Sequence, residues 1–408
     1  MRGILTVQQD KQGAYVGKQR REQRKNKHGH ALQAVPTDLS VSHDALPAID
    51  SFIDVPVFAD LSCSDEQHAA FQRVVETAAL IDAVQASYIR LGYVARLDRG
   101  FPLVVSDTAM LRAEHAVHFA KKQEQHLLPT IGDWVAVRVD PKHDKGVIEA
   151  VLPRTTSFER WRGKNRGERQ VLAANVHTIL VVIPLGGSRD SAGFRYNRIA
   201  RALVLSRDCG AKPVIVFTKG DRACDAEREQ ACSEARIIAG DDVRIVMTSS
   251  KQQEGLEELR ACIKPGQLSM ILGESGAGKS TLINALLGHE TLKTSDVRER
   301  DDMGRHTTVA RMMCKIPGNA GVLVDAPGLR SLPLVGHERG LAQSFADIAR
   351  LAQSCRFRDC THRHEPGCEV LAAISCGELH PERFEAFSLL AEEMRVSAQS
   401  LDPDIKLS

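Results

Sequence analysis

Several things are scarce in this chain of 408 residues. It has no run of 18 apolar residues, and its first residues (MRGILTVQQDKQG) contain no apolar signal core. Neither a membrane span nor a secretory leader is expected, and the reading is a cytoplasmic protein. Aromatic residues make up only 4% of the chain, which leaves little for base-stacking platforms. The net charge of +2 singles out no class of partner. From Ala31 to Gln72 there is no lysine or arginine at all. There Asp38, Asp44, Asp50, Asp54, Asp60, Asp65 and Glu66 accumulate among Pro36, Pro47 and Pro56, so a mostly irregular acidic linker is expected, with one helix over 66–86. A disulfide scaffold is also excluded, because ten cysteines are thinly spread over this length and three of them crowd into one short stretch.

What is present is more specific. Ser269–Leu287 reads SMILGESGAGKSTLINALL. An apolar run ends at Gly273, and Gly278-Lys279-Ser280 opens a segment with helical apolar spacing, so strand, G-x-x-x-x-G-K-[ST] and helix follow in order. Backbone N–H groups from Gly273-Glu274-Ser275-Gly276-Ala277-Gly278 are suited to cradle phosphates at a helix N-terminus. Lys279 reaches the β- and γ-phosphates, Ser280 takes a place on Mg²⁺, and Thr281 continues the first helical turn. A glycine-rich turn that merely carries a lysine is the plain alternative, and the strand–helix context speaks against it.

From Asn175 onward strands and helices alternate, as an α/β sheet requires. Strand KPVIVFT runs into Thr218-Lys219-Gly220-Asp221, an [NT]-K-x-D pattern. Asp221 is expected to accept from N1 and N2 of guanine, a donor pair that adenine lacks. The Lys219 stem would lie along the base, and Ser249 and Ser250 would bring backbone N–H groups to O6. Strand GVLVD ends in Asp325, placed as the acid that holds Mg²⁺ through water, and the Gly328 N–H is positioned to sense the γ-phosphate. Between the phosphate loop and that strand lies Gly304-Arg305-His306-Thr307-Thr308, in which Thr307 or Thr308 completes the Mg²⁺ shell, Thr308 being the residue taken. Leu329 follows Gly328 where Ras-like enzymes use a water-orienting glutamine, so slow intrinsic turnover is expected. His306 is a substitute able to orient water, with Arg305 a further source of charge and an ordinary loop histidine the plain alternative.

Upstream, YIRLGYVARL, FPLVVS, GDWVAVRVD and GVIEAVLPR fit strands of a small OB-type β-barrel with Trp134 and Val135 in its core. The basic stretch 154–169 reads as a loop able to reach phosphates, and the tail KQRREQRKNK carries six Lys/Arg, compatible with RNA contact or with a solvated, disordered arm. Downstream, Cys355, Cys360 and Cys368 with an imidazole from His362 or His364 suit tetrahedral structural Zn²⁺, with Cys376 a spare thiol. The last stretch, from His380, reads as helical.

The order of these motifs is base loop, phosphate loop, then the two switches. With PRTTSFER, QVLAANV, PVIVFTKGD, GESGAGKSTLIN, GRHTT, DAPGLR and CRFRDCTHRHEPGC, the chain resembles the circularly permuted, ribosome-dependent GTPases of the RsgA (YjeQ) family over about residues 87–395. Thr218 stands where many members have Asn, and Val309 where a third threonine is frequent. The resemblance implies a multi-domain protein with an OB-fold over 87–158, a permuted GTPase domain over 170–333 and a mostly helical zinc-binding domain over 334–395; outside it, composition alone gives a basic tail and acidic linker, largely disordered, over 1–86 and a tail over 396–408. It selects His362 as the fourth zinc ligand and points to His306 and Lys279 as catalytic groups. It further implies a monomer that binds GTP and GDP and contacts the small ribosomal subunit and its rRNA. Its GTP hydrolysis, stimulated by that particle, would serve late maturation. A GTP-gated RNA-binding module with incidental hydrolysis is the second reading, and a P-loop ATPase or kinase the third.

Overall fold

The structure, a computed structural model, describes residues 53–98, 101–116, 128–162, 168–186, 192–291, 311–325 and 334–401, all within one unit that begins at Ile49. An extended stretch and a 3₁₀ turn at Phe58–Asp60 lead into helix α1 (Asp65–Ile81) and a short α2 (Ala83–Ala86). Ser64 starts α1, since its hydroxyl accepts from the Gln67 amide at 3.3 Å while Gln67 Oε1 accepts from the Ser64 amide at 3.0 Å. The helix expected over 66–86 is therefore present, divided at Asp82. The described residues before it, 53–64, are not loose linker, because Val55 and Leu61 are buried in the main core. Burial of this apolar minority outweighs the acidic composition on which the expectation rested. The basic tail lies outside the described residues.

Five strands come next: β1 (Ile89–Asp98), β2 (Phe101–Ser106), β3 (Met110–His115), β4 (Trp134–Arg138) and β5 (Gly146–Val151). They close into a barrel in the order β1-β2-β3-β5-β4, with β4 bonded back to β1. Val94, Val104, Ala113, Val135, Val137 and Ile148 fill its interior. Trp134 and Val135 are both buried, but on opposite faces. Val135 points into the barrel, whereas Trp134 packs outside it, edge-on to Tyr93 at 5.3 Å and to Phe58 at 5.8 Å. The N-terminal segment thus covers an outer barrel face, which is why that face can be apolar.

Residues 154–169, expected to be a loop, mostly form a ribbon: β6 (Ser157–Arg162) pairs antiparallel with β7 (Glu168–Ala174). Phe158, Val171 and Leu172 are buried beneath it, and the charges between them hide this apolar face from a reading of composition. Two buried groups fasten its base. Arg154 grips Asp133 with two bonds of 2.7 Å. Asn175, held at φ 56°, accepts from Gln67 Nε2 at 3.1 Å and from the Thr155 amide at 2.9 Å, and donates to the Gly132 carbonyl at 2.8 Å. One side chain thereby joins α1, the barrel and the ribbon.

The second half of the sheet is built from β8 (Val176–Pro184), α3 (Ala192–Asp208), β9 (Lys212–Thr218), α4 (Asp225–Ala239), β10 (Arg244–Met247), α5 (Leu256–Arg260), β11 (Leu268–Gly273), α6 (Lys279–Leu287), β12 (Arg311–Lys315) and β13 (Val322–Asp325). The order is β10-β9-β8-β11-β13-β12, parallel except for β12. One apolar cluster fills the α5/α6 side (Leu259, Leu282, Ile283, Leu286) and another the α3/α4 side (Ile199, Leu203, Ala235, Ile238). A bulge between Val94 and Arg96 lets β1 leave the barrel and pair with β12 through Arg96↔Met312 and Leu97↔Arg311. Barrel and parallel sheet are therefore one hydrogen-bonded ribbon of strands.

Four C-terminal helices pack on the α3 side: α7 (Glu338–Ser344), α8 (Ala346–Gln353), α9 (Glu369–Cys376) and α10 (Pro381–Leu401). Arg383 of α10 binds Asp347 through two bonds of 2.7 and 2.8 Å, donates to the Ser344 carbonyl at 2.9 Å and lies over the Phe345 ring. The helix runs six residues into the stretch expected as tail. Among the described residues no helix is long and apolar enough to cross a membrane.

Candidate functional site

Because β8, β9, β10, β11 and β13 are parallel, their C-terminal ends open on one edge, where loops can converge on a ligand. That edge carries Thr218-Lys219-Gly220-Asp221 after β9, Ser249 and Ser250 after β10, the Gly273–Ser280 loop after β11, and Asp325 at the end of β13. The permuted order of the chain is compensated by the order of the strands, since β11 lies between β8 and β13.

Direct bonds join the two loops. Thr218 Oγ1 donates to the Ala277 carbonyl at 2.7 Å, and Lys219 Nζ donates to the Gly276 carbonyl at 2.9 Å. The base-reading turn is thus bolted to the phosphate loop by residues 59 and 57 positions apart. Lys279 Nζ lies within the loop, donating to the Gly273 and Glu274 carbonyls at 3.0 and 3.2 Å. Gly278, at φ 90°, starts α6, and a Cβ at Gly273 would stand 2.8 Å from the Val182 carbonyl oxygen. These two glycines are steric requirements of the turn.

Ser249 Oγ donates to Asp221 Oδ1 at 2.8 Å. That bond is the main cause holding the Asp221 carboxyl below the ordinary carboxylate range, so Asp221 is an anion at neutral pH, as an acceptor facing two N–H groups must be. The Gly220 amide donates to the Thr248 carbonyl at 3.0 Å, fixing the turn against β10. Burial, followed by the charge of Arg222, lowers the pKa of Lys219.

The sulfur and imidazole cluster is also gathered. Ligand atoms of Cys355, Cys360, His362 and Cys368 all lie within 4.8 Å of one another. His362 Nδ1 is 3.6 Å from Cys355 Sγ and 3.3 Å from Cys368 Sγ, and the two sulfurs are 3.9 Å apart. Tetrahedral zinc, with Zn–S near 2.3 Å and Zn–N near 2.0 Å, needs ligand atoms about 3.4–3.8 Å apart. The donor set and its spacing fit that ion. Glu365 shapes the turn by accepting from the Thr361, Arg363 and His364 amides at 3.0–3.1 Å, and Cys368 Sγ caps α9 by accepting from the Leu371 amide. His364 and Cys376 are outside the cluster.

Comparison with known proteins matches residues 151–335 to the RsgA GTPase family. A protein of Streptomyces avermitilis named small ribosomal subunit biogenesis GTPase RsgA is 41% identical over 310 residues, 76% of this chain and 81% of that protein. The chain belongs to the RsgA GTPase family. As a member it is a GTPase. A relative of the same name in Methanosarcina acetivorans is 37% identical over 68% of this chain and 73% of its own length. The crystal structure of YjeQ from Thermotoga maritima superposes with a TM-score of 0.57 at 27% identity, covering 75% of this chain and 99% of that one. That of YloQ, described as a circularly permuted GTPase, shares the fold with a TM-score of 0.53 at 22% identity over 76% of this chain.

Other residues expected from the sequence, Arg305, His306, Thr307, Thr308, Gly328 and Leu329, lie outside the described residues. Two contacts in this GTPase edge had no signal in the sequence. Glu274, expected to serve the nucleotide, has its carboxylate paired with Arg198 of α3. The Thr218 bond to Ala277 makes the threonine a brace between loops. A cavity of about 220 Å³ lies between the β6–β7 ribbon, α3 and residues 335–339. Asp133, Gln170 and the Asp208 carbonyl already engage its Arg154, Arg160 and Arg339, so it is a junction between elements.

Proposed function

We propose that this GTPase binds the small ribosomal subunit late in its maturation, in the cytoplasm, and that the particle stimulates its GTP hydrolysis. The reading rests chiefly on one observation: Thr218 and Lys219 hydrogen-bond to the phosphate loop, which sets Asp221 and Lys279 on one strand edge across the permutation. The names carried by the relatives supply the particle.

In this reading Asp221 accepts from guanine N1 and N2, the Lys219 stem covers the base, and Ser249 and Ser250 lead the backbone to O6. N–H groups of Gly273–Gly278, with Lys279 and Thr281, hold the phosphates of GTP or GDP. Ser280, Thr308 and Asp325 would hold Mg²⁺, which neutralises charge on the phosphates. His306 orients the attacking water and Gly328 senses the γ-phosphate. Cys355, Cys360, His362 and Cys368 take one structural zinc. The strand order supports an OB-type barrel over 87–158 as a face for rRNA, with the permuted domain over 170–333, the zinc domain over 334–395 and the protein monomeric.

The test is GTP turnover with and without purified small subunits, alongside Asp221→Asn. Turnover should rise more than tenfold with the particle, and Asp221→Asn should weaken GTP binding while improving relative binding of xanthosine triphosphate, whose C2 offers an acceptor in place of a donor. Unstimulated turnover would overturn the ribosomal part, and unchanged base preference would overturn the role of Asp221.

A further inference from the structure

Asp54 lies outside the segment that the family comparison matches, 151–335, and none of the motifs above involves it. It is an acidic side chain only 8% exposed, and burial of a carboxylate is costly unless donors meet it. The donors that meet it come from one place. His289 Nε2 lies 2.9 Å from Asp54 Oδ1 and 3.0 Å from Oδ2, and the Thr291 hydroxyl donates to Oδ2. Both residues lie just beyond Gly288, which ends α6 in the left-handed conformation. The Thr291 amide in turn donates to Asn284 Oδ1 of α6 at 3.2 Å. The backbone of Asp54 reaches the other flank, where its carbonyl accepts from the Lys315 amide of β12 at 2.8 Å, and Lys315 Nζ pairs with Asp60 at 2.7 Å.

The segment carrying Asp54 is itself tied on both sides. Tyr93 of the barrel donates its hydroxyl to the Val57 carbonyl at 2.8 Å, and the Ser62 amide donates to the Gly266 carbonyl at 2.9 Å, just before β11. At Gly266 (φ 72°) a Cβ would lie 2.5 Å from Ser62 Oγ, so glycine is what lets the segment lie there.

We propose that Asp54 is a positioning residue for GTP turnover: it clasps Thr291 and Lys315, which lie on either side of the stretch 292–310 in the sequence, and so fixes the two described ends between which that stretch runs. The inference rests on the proposed reading, in which His306 and Thr308 within that stretch act at the γ-phosphate. Packing alone does not call for a buried carboxylate here, since an apolar side chain would fill the space without recruiting two donors. The clasp grips the far end of the helix whose first turn carries Lys279 and Ser280, so it leaves the phosphate loop itself untouched.

The test uses the full chain in four forms, wild type, Asp54→Ala, Thr291→Val and the double variant. Fluorescent GDP and a non-hydrolysable GTP analogue report affinity, and turnover is followed with small subunits present. Asp54→Ala should lower kcat about tenfold and the GTP-analogue affinity severalfold, with GDP affinity within about twofold of wild type. Thr291→Val should shift the same ratio in the same direction, and the double variant should be no worse than Asp54→Ala alone. If Asp54→Ala fails to fold, Thr291→Val decides alone. A lower Tm with unchanged kcat and unchanged analogue-to-GDP ratio overturns the inference, since a purely structural clasp would give that result. If wild type itself neither prefers GTP nor turns it over, the proposed function has failed, and the inference falls with it.

Discussion

The nucleotide edge and the zinc turn are assembled in opposite ways. The Gly273–Ser280 loop at the nucleotide edge is held by strands that are buried on both faces. β8 and β11, which flank the phosphate loop, consist almost wholly of buried residues, so the loops at their ends inherit positions from the sheet. The metal turn has no sheet beneath it. Residues 355–368 contribute one buried side chain, Cys368, and its shape comes from Glu365 and from the four ligands. In the proposed reading, the first site is placed by packing before any nucleotide arrives, and the second is completed by the zinc it takes.

Metal removal should expose this contrast most strongly. Cys360→Ser, or chelation of the wild type, should cost metal-coupled folding free energy on the order of 10 kcal/mol at the turn. Residues 354–368 should become protease-sensitive and zinc content should fall from one per chain to none, while GDP affinity stays within a few-fold. Loss of nucleotide binding in parallel would show that the two sites are not independent. A smaller but global effect is expected at the base of the ribbon. Arg154→Ala leaves the fully buried Asp133 without its counter-charge and should cost about 3–5 kcal/mol in denaturant unfolding.

Next comes the brace between the loops. Thr218→Val removes the hydroxyl from the Ala277 carbonyl and should weaken both GTP and GDP by roughly tenfold, the loss of about 1–2 kcal/mol, with Tm nearly unchanged. Equal affinity by titration would show that the sheet alone suffices to align the loops. The smallest effect is pH-dependent. Burial pushes the Asp347 carboxyl up, but bonds to Arg383, its charge and nearby amides outweigh this and hold it below the ordinary carboxylate range. A depressed folded-state value stabilises the protein above pH about 4 and loses that contribution as pH falls through the folded value. Asp347→Asn should therefore lower Tm at pH 7, and the gap to wild type should close below pH 4.

How much of this could be read from the chain follows the same division. The helix start at Gly278-Lys279-Ser280 and the gathering of Cys355, Cys360, His362 and Cys368 were legible, because they lie in short segments whose spacing is itself the geometry. Asp221 and Asp325 were legible because a strand end precedes each. Asn175, Arg154 and Asp54 were not, because their partners lie 20 to 237 positions away and nothing nearby in sequence announces them. The ribbon over 157–174 was missed because alternating charge masks Phe158 and Val171. The barrel was legible as strands, but its covering by Phe58 was not, since an acidic, proline-bearing stretch reads as solvent-facing until its few apolar residues are seen in place.

The joint between β1 and β12 consists of only two residue pairs, yet the barrel and the parallel sheet share one apolar cluster, in which Tyr93, Trp134 and Phe158 lie with Ile179, Ile215 and Leu268. Parting the strands at that seam would therefore open a core common to both. If a large particle holds the barrel, the load passes to the parallel sheet through packed side chains and arrives at Met312 and Arg311, at the threshold of the stretch that carries His306.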